Sequence, residues 1–243
     1  MPKCPFCGKE QKMHVPGVYS LCNCDEMKDY KASQRRIIRI EMQIDSLNER
    51  IAALEATARS RWEHSNVGKK FMRCTFDAYD SKGHEAQYQA CVEYAKAFER
   101  NEGEGILLYG TVGTGKTHLA AAIGNHIVYE LGYDVYFMPF TEFLNTLRIY
   151  MNDKSRTEAF MARLYKADLL IMDDLGKEKY TEWAAEQLFS LLDRRYRERQ
   201  PIIVTTNFTP KELDGRVDSA VMSRLAGSCK FIRMNGEDYR RRR

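Results

Sequence analysis

The residue types with the clearest chemical purpose form a glycine-rich run near the middle of the chain. Its members are Gly110, Thr111, Val112, Gly113, Thr114, Gly115, Lys116 and Thr117, which match the spacing G-x-x-x-x-G-K-[ST]. An apolar run at residues 106–109 precedes it, and residues 118–130 follow with helical periodicity. This strand–loop–helix context is the one that a phosphate-binding P-loop requires.

The residue types in this loop suit a nucleoside triphosphate. Glycines let backbone N–H groups surround a phosphate, and the helix that follows presents its positive end to the same anion. Lys116 would bridge the β- and γ-phosphates, and the Thr117 hydroxyl would ligate Mg²⁺. We therefore predict that the chain binds ATP with Mg²⁺.

Two consecutive acids supply a second set of chemical groups. Residues 168–172 form a predicted apolar strand that leads directly into Asp173 and Asp174. Asp173 would hold Mg²⁺, directly or through water, and Asp174 would orient or polarise the attacking water. The alternative is a pair of acids in an ordinary turn, which a P-loop upstream makes less attractive.

A third predicted strand, residues 201–206, ends at a neutral amide, Asn207. An amide there can position water near a γ-phosphate, although asparagine also favours simple turns. A strand predicted at residues 134–140 intervenes along the chain between the loop and the acids. This arrangement fits P-loop ATPases with an added strand between the two motif strands, and it argues against nucleotide kinases.

Four cysteines are concentrated at the start of the chain, at Cys4, Cys7, Cys22 and Cys24. Four thiolates in a tetrahedral array suit Zn²⁺ and leave no open position, so such a site is structural. The second pair is C-x-C, which is tighter than the commonest zinc spacing, and His14 is a possible substitute ligand. A redox dithiol and a metal-free segment remain alternatives.

Apolar residues in the next segment alternate at spacings of three and four, and they are Ile37, Ile40, Ile44, Leu47, Ile51, Leu54 and Ala58. This is a heptad pattern on one helix. The helix could pair with another copy, fold against a second helix, dock on a partner or lie on the main domain.

The rest of the chain alternates strand-like and helix-like runs, which predicts an α/β fold with a parallel sheet covered by helices on both faces. We predict three segments: a zinc-binding module at 1–25, a heptad helix or linker that binds a partner at 26–65, and a P-loop ATPase domain at 66–243.

The overall composition adds few constraints. The 243 residues carry a net charge of +4, which permits a nucleic-acid partner without requiring one. No apolar run reaches the roughly 18 residues of a membrane helix, and no apolar signal segment is present, so we predict a cytoplasmic protein without a membrane partner. The block of arginines at residues 240–243 could contact phosphates or be a solvated tail.

Several strings in residues 66–243 resemble the AAA+ helicase loaders of the DnaC/DnaI family, of which the insertion-sequence helper ATPase IstB is a close relative. The strings lie at residues 172–176, 204–207, 221–225 and 236–240, in that order. Residues 74–79 look like the start of the family's ATPase domain, near the adenine pocket. The resemblance implies an AAA+ P-loop ATPase.

The resemblance also implies roles for individual residues. Asn207 corresponds to the sensor-1 residue, Arg224 to the arginine finger that reaches a neighbouring subunit, and Arg240 to the sensor-2 arginine. The stretch between 140 and 168 corresponds to an insertion used against single-stranded DNA, in which the cations are Arg148, Lys154 and Arg156.

Two departures from the family pattern have consequences. Only nine residues follow the last predicted strand, at 230–234, so we expect the usual helical lid to be absent or vestigial. Asp174 stands where many relatives have glutamate, and the shorter carboxylate suggests slow hydrolysis suited to a switch.

The implied function is that of an ATP-dependent loader of a DnaB-type hexameric replicative helicase. Such a protein binds single-stranded DNA and self-assembles through its ATP site. The cysteine module joined to a helix resembles the DnaI side of the family. The alternatives are an IstB-like transposition helper, and a zinc and coiled-coil adaptor in which ATP is a structural ligand.

Overall fold

The computed structural model of the chain describes residues 2–11, 13–15, 18–19, 22–177 and 181–239. The chain divides into two compact units, residues 1–56 and 57–243. The division falls within a single long helix, so the change from one unit to the next does not coincide with a loop.

The first unit contains a short hairpin and most of that helix. Strands β1 (Met13–Val15) and β2 (Val18–Tyr19) pair antiparallel. Helix α1 (Asp25–His64) is 40 residues long and begins directly after Cys24. Asp25 and Glu26 lie in its first turn, where negative charge favours the positive end of the helix dipole. The helix was predicted between residues 26 and 65.

The second unit alternates strands and helices in the predicted order. Its elements are α2 (Gly68–Phe71), α3 (Glu85–Lys96), β3 (Gly105–Tyr109), α4 (Lys116–His126), β4 (Val135–Pro139), α5 (Phe140–Tyr150), α6 (Lys154–Lys166), β5 (Leu169–Leu175), α7 (Glu182–Arg197), β6 (Ile202–Thr206), α8 (Pro210–Asp214), α9 (Ser219–Ser228) and β7 (Cys229–Arg233). Short 3₁₀ and π turns occupy Phe98–Arg100 and Ile127–Leu131.

The five strands of the second unit form one parallel sheet in the order β4-β5-β6-β3-β7. The predicted parallel sheet is therefore confirmed. Along the chain, β4 lies between the P-loop strand β3 and the acid-bearing strand β5. In the sheet, β6 lies between them instead, and β4 is at the edge. Strands β3, β5 and β6 thus bring three polar carboxyl ends side by side, which is where ligands bind in open α/β sheets.

Alternate strand residues point to opposite faces of the sheet, and in β3 they are apolar on both faces. Helices therefore cover both faces. Ile106 and Leu108 contribute to one buried cluster, together with residues of α3 and α4. Leu107 contributes to a second cluster, which includes residues of α5, α6, α7 and α9. The predicted two-sided covering is confirmed.

Two helices begin at an aspartate side chain that caps the first turn. The Asp218 side chain accepts from the Ala220 N–H at the start of α9, which separates α9 from α8. Asp153 accepts from the Arg156 N–H and begins α6. Within the described ranges, every helix is too short or too polar to cross a membrane.

Candidate active site

The loop between β3 and α4 has a backbone that only glycine adopts without strain. Gly110 and Gly113 have φ of +130° and +80°. A Cβ on Gly110 would collide with the Met234 carbonyl, and one on Gly113 would collide with the Asp238 side chain. The two glycines are thus required both by the local backbone and by the chain packed against the loop.

Lys116 is buried at the start of α4, and its Nζ donates to the carbonyls of Gly110 (3.0 Å) and Thr111 (2.7 Å). The ammonium is therefore held inside the curve of the loop. This is the position from which a P-loop lysine reaches the phosphates. The prediction that Lys116 belongs to the loop's anion site agrees with this geometry.

Thr117 and Asp173 meet although they are 56 positions apart in the sequence, because α4 begins at the edge of the sheet where β5 ends. The Thr117 hydroxyl donates to Asp173 Oδ1 at 2.8 Å, and the Thr205 hydroxyl donates to the same oxygen at 2.5 Å. Burial raises the pKa of Asp173, while the two hydroxyl donors act in the opposite direction. A hydroxyl and a carboxylate are oxygen donors of the kind that Mg²⁺ prefers, so these residues fit the predicted metal.

Asp174 has a left-handed backbone, with φ of +66°, which turns its side chain toward the end of β6. The Asn207 amide donates to Asp174 Oδ1 at 3.0 Å, and Lys177 forms an ion pair with the other carboxylate oxygen. The Asp174 N–H donates to the Thr205 hydroxyl at 2.9 Å. Three hydrogen bonds, two of them through Thr205, therefore link the two acids and the amide.

These groups line one cavity of about 520 Å³. Its volume is in the range of pockets that hold small molecules. Its lining also includes Phe71, Cys74, Tyr79 and His84. The Tyr79 hydroxyl donates to the Thr114 carbonyl at 3.0 Å, and burial raises the pKa of Tyr79 to about 12, so the phenol keeps this proton near neutral pH. The segment 74–79, expected near an adenine pocket, does adjoin the loop.

The chain after β7 packs directly against the P-loop. The Thr111 hydroxyl donates to the Gly236 carbonyl (2.9 Å) and accepts from the Gly236 N–H (3.0 Å), and the Tyr239 N–H donates to the Gly113 carbonyl (3.1 Å). Residues 235–239 thus form part of the wall of the cavity. Arg240, the predicted sensor-2 arginine, lies outside the described residues.

Three features of the site were not predicted from the sequence. Thr205 contacts both acids and Lys177 pairs with Asp174, but neither was given a role. A hydroxyl at the end of an apolar strand, beside an assigned amide, was the available signal for Thr205. The docking of residues 236–239 on the loop was detectable only as a family-specific string.

Arg224 is not among the described residues that line this cavity. Its guanidinium, on α9, forms an ion pair with Asp193 of α7 at 2.9 Å and lies over the Tyr196 ring at 5.0 Å. Its side chain is 35% exposed. Arg224 therefore has no contact with the P-loop of its own chain.

The three cations predicted to meet single-stranded DNA are exposed on neighbouring helices. Arg148 on α5 lies over the Trp183 ring at 5.4 Å, whereas Lys154 and Arg156 at the start of α6 pair with the acids Glu158 and Asp153. Exposed pairs of this kind contribute little stability, so both cations can exchange their partners for phosphates.

The cysteine cluster lies in the first unit, and the four Sγ atoms are within 4.8 Å of one another. Cys4 and Cys24 are 3.8 Å apart, and Cys7 and Cys22 are 3.4 Å apart. Tetrahedral zinc with Zn–S bonds of about 2.3 Å separates its sulfurs by about 3.8 Å. The donor set and its spacing therefore fit zinc, and the side chain of His14 lies outside the described residues.

The backbone around Cys4 favours its thiolate, whereas the Cys22 side chain raises the pKa of Cys7 against the lowering effect of the Lys9 N–H. The chain turns at residues 5–7, Gly8 has φ of +73°, and its N–H donates to the Cys4 carbonyl at 2.9 Å. A hydrogen bond from the Cys7 N–H lowers the pKa of Cys4 to about 7. Only the thiolate form of cysteine binds metal, so this turn prepares a ligand.

We expect the Cys4→Ser, Cys7→Ser double variant to lose zinc and to unfold locally, because closed thiolate sites contribute folding energy directly. Nucleotide affinity should change by less than about twofold, since the cavity is built by the other unit. Metal analysis of the purified protein and calorimetry with ATP measure the two effects. Cys229→Ser is the matched control, which should keep its zinc, and zinc-free wild-type protein would contradict the assignment.

Comparison with known proteins identifies relatives over most of the chain. The sequence model of the family described as "IstB-like ATP binding protein" matches residues 31–243. A putative insertion sequence ATP-binding protein from Sinorhizobium fredii is 37% identical over 146 residues, which are 58% of this chain and 48% of that protein. The replicative helicase loader DnaI from Bacillus subtilis is 28% identical over 169 residues, which are 64% of this chain and 54% of DnaI.

The fold also matches solved structures. The crystal structure of the DnaC helicase loader superposes with a TM-score of 0.64 at 24% identity, covering 69% of this chain and 99% of that one. The predicted α/β fold of the second unit is thereby confirmed. The chain spans about half the length of the curated relatives it matches first.

Proposed function

Because this chain belongs to the family of IstB-like ATP-binding proteins, we propose that it is an ATPase that loads a hexameric replicative helicase onto single-stranded DNA. In this proposal ATP binding biases the chain toward a conformation that holds its partners, and hydrolysis releases them. The cysteine module and the long helix (residues 1–25 and 26–65) hold the helicase, and residues 66–243 form the ATPase domain.

One observation carries the enzymatic part of the proposal: the groups needed for hydrolysis converge at one end of three adjacent strands. Lys116 faces the loop interior, Asp173 meets the Thr117 hydroxyl, and Asp174 is aligned by Asn207. Bound Mg²⁺ would neutralise charge on the phosphates, held by Thr117 and Asp173.

The hydrolytic roles then fall to groups of this chain. Asp174 accepts a hydrogen bond from the attacking water, and Asn207 holds that carboxylate in position. Lys177 occupies one carboxylate oxygen of Asp174 through an ion pair, and the Asp174 side chain is shorter than glutamate. Both features support slow turnover, as suits a switch.

The helicase part rests on relatives and on the first unit. Proteins named replicative helicase loaders are similar to this chain over 64–79% of its length. The 40-residue helix that follows a zinc-compatible module is exposed at residues 32–57 and offers a surface for a protein partner. Single-stranded DNA would meet the exposed cations of α5 and α6, where Arg148 already stacks on an aromatic ring.

A second candidate, a transposition helper, is favoured by the family description and by the 37% identical insertion-sequence relative. The cysteine cluster counts against it, since IstB-like helpers usually begin with a plain helical segment.

A third candidate is an adaptor that keeps ATP as a structural ligand. It is disfavoured because such an adaptor would not need Asn207 to align Asp174.

Two measurements test the proposal. The first is a pull-down that offers the full chain the helicase and the transposase of the encoding organism. The second is ATP turnover by the full chain, with and without single-stranded DNA. The proposal predicts that the chain turns over ATP and captures the helicase. Single-stranded DNA should change the turnover rate at least about twofold, because its phosphates bind the exposed cations of α5 and α6. Tight ATP binding without turnover would favour the adaptor. Capture of the transposase alone would favour the transposition helper.

A further inference from the structure

Helix α1 presents a continuous apolar stripe to solvent. Its members are 46–70% exposed, and they are Ile37, Ile40, Ile44, Leu47, Ile51 and Leu54. The stripe ends before Ala58, which is buried. Isolated exposed apolar residues are common, but a stripe of six at heptad spacing marks a contact surface.

The residue types along the stripe specify the form of pairing. With Ile37 as position a, the a positions hold Ile37, Ile44 and Ile51, and the d positions hold Ile40, Leu47 and Leu54. β-Branched residues at a with leucine at most d positions favour parallel two-stranded coiled coils.

The flanking charges complement a second copy of the same helix. Positions g hold Arg36, Gln43 and Arg50, and positions e hold Glu41, Asn48 and Glu55, all of them exposed. In a parallel pair each g residue faces the e residue five positions later on the partner. This aligns Arg36 with Glu41, Gln43 with Asn48, and Arg50 with Glu55, and symmetry repeats each contact.

The opposite orientation lacks these pairs. In an antiparallel register that aligns the same apolar residues, Arg50 would face Gln43 and Glu41 would face Asn48, without an ion pair between opposite charges. The charge pattern therefore selects the parallel arrangement, since e and g charges set the orientation of coiled coils.

We propose that this chain forms a homodimer through a parallel coiled coil of residues 36–55, independently of nucleotide and of the proposed helicase-loading function. The seam is about three heptads, short enough for the dimer to dissociate on dilution. Each dimer would then carry two ATPase units.

The first test is sedimentation of the full chain without nucleotide, in a Lys116→Ala background so that assembly through the ATP site does not contribute. We expect a dimer for this protein and a monomer for the added Ile44→Glu, Leu47→Glu pair at the same concentration. Met42→Glu, at the outer f position of the same helix, is the matched control and should remain dimeric. A monomer throughout, or a dimer that survives the double change, would overturn the proposal.

The second test addresses orientation. A variant with Glu41→Arg and Glu55→Arg carries like charges at e and g, and so does one with Arg36→Glu and Arg50→Glu. In a parallel coil each variant alone should be monomeric, and an equimolar mixture should form heterodimers. If each variant dimerises as well as the parent, the parallel pairing is wrong. Circular dichroism checks that α1 remains helical.

Discussion

Arg224→Ala is expected to bind ATP normally but to hydrolyse it at least about 10³-fold more slowly, the effect of losing an arginine finger. The reason is position: the guanidinium pairs with Asp193 and lies away from the cavity of its own chain. A residue so placed can act on ATP only in a neighbouring subunit. Steady-state turnover and calorimetric affinity measure the two quantities.

Two companion variants separate catalysis in trans from a structural role. Asp193→Asn removes this ion pair and the one with Arg197 but keeps Arg224, so it should retain most activity if Arg224 acts on a neighbour. It should match Arg224→Ala if the pair only stabilises α7 against α9. Arg216→Ala, an exposed arginine that precedes α9, is the control and should be unaffected. Normal turnover by Arg224→Ala would remove the proposed role.

Lys116→Ala is expected to weaken ATP binding by about 30-fold or more. Truncating one partner of a buried, hydrogen-bonded charge pair costs about 2–5 kcal/mol, and each 1.4 kcal/mol is a factor of ten in affinity. Among the described residues, Lys116 is the cation that donates hydrogen bonds to the carbonyls inside the loop. Calorimetry of ATP binding measures the change.

The matched control is Lys82→Ala, because Lys82 lines the same cavity but is exposed. Its removal should change affinity by less than about fivefold, as expected for a solvated charge. Mixing Lys116→Ala with Arg224→Ala should restore part of the turnover, since one supplies an intact loop and the other an intact arginine. Unchanged affinity in Lys116→Ala would refute the loop assignment.

The core of the candidate site was predictable because motif residues occupy strand ends in a parallel sheet. The glycine-lysine loop, the paired acids and Asn207 each follow an apolar run, and parallel strands bring such ends together. Periodicity likewise located the strands and most helices within a few residues. The sheet order did not follow from chain order: β6, rather than β4, separates the two motif strands.

The remaining contacts depend on backbone conformation and on tertiary packing, which the apolar pattern does not encode. Lys177 and Asp174 are only three residues apart, but Asp174 has a left-handed backbone, an unusual conformation for a residue other than glycine. The segment after β7 lines the cavity because its backbone pairs with Thr111 and Gly113. The apolar periodicity indicates neither contact.

The most direct test of the account measures helicase transfer. The full chain, the replicative helicase of the same organism and closed circular single-stranded DNA are incubated with ATP, and DNA-bound helicase is quantified after separation. The account predicts several-fold more bound helicase than without the chain, and no increase with the Lys116→Ala variant. Equal amounts of bound helicase with and without the wild-type chain would contradict it.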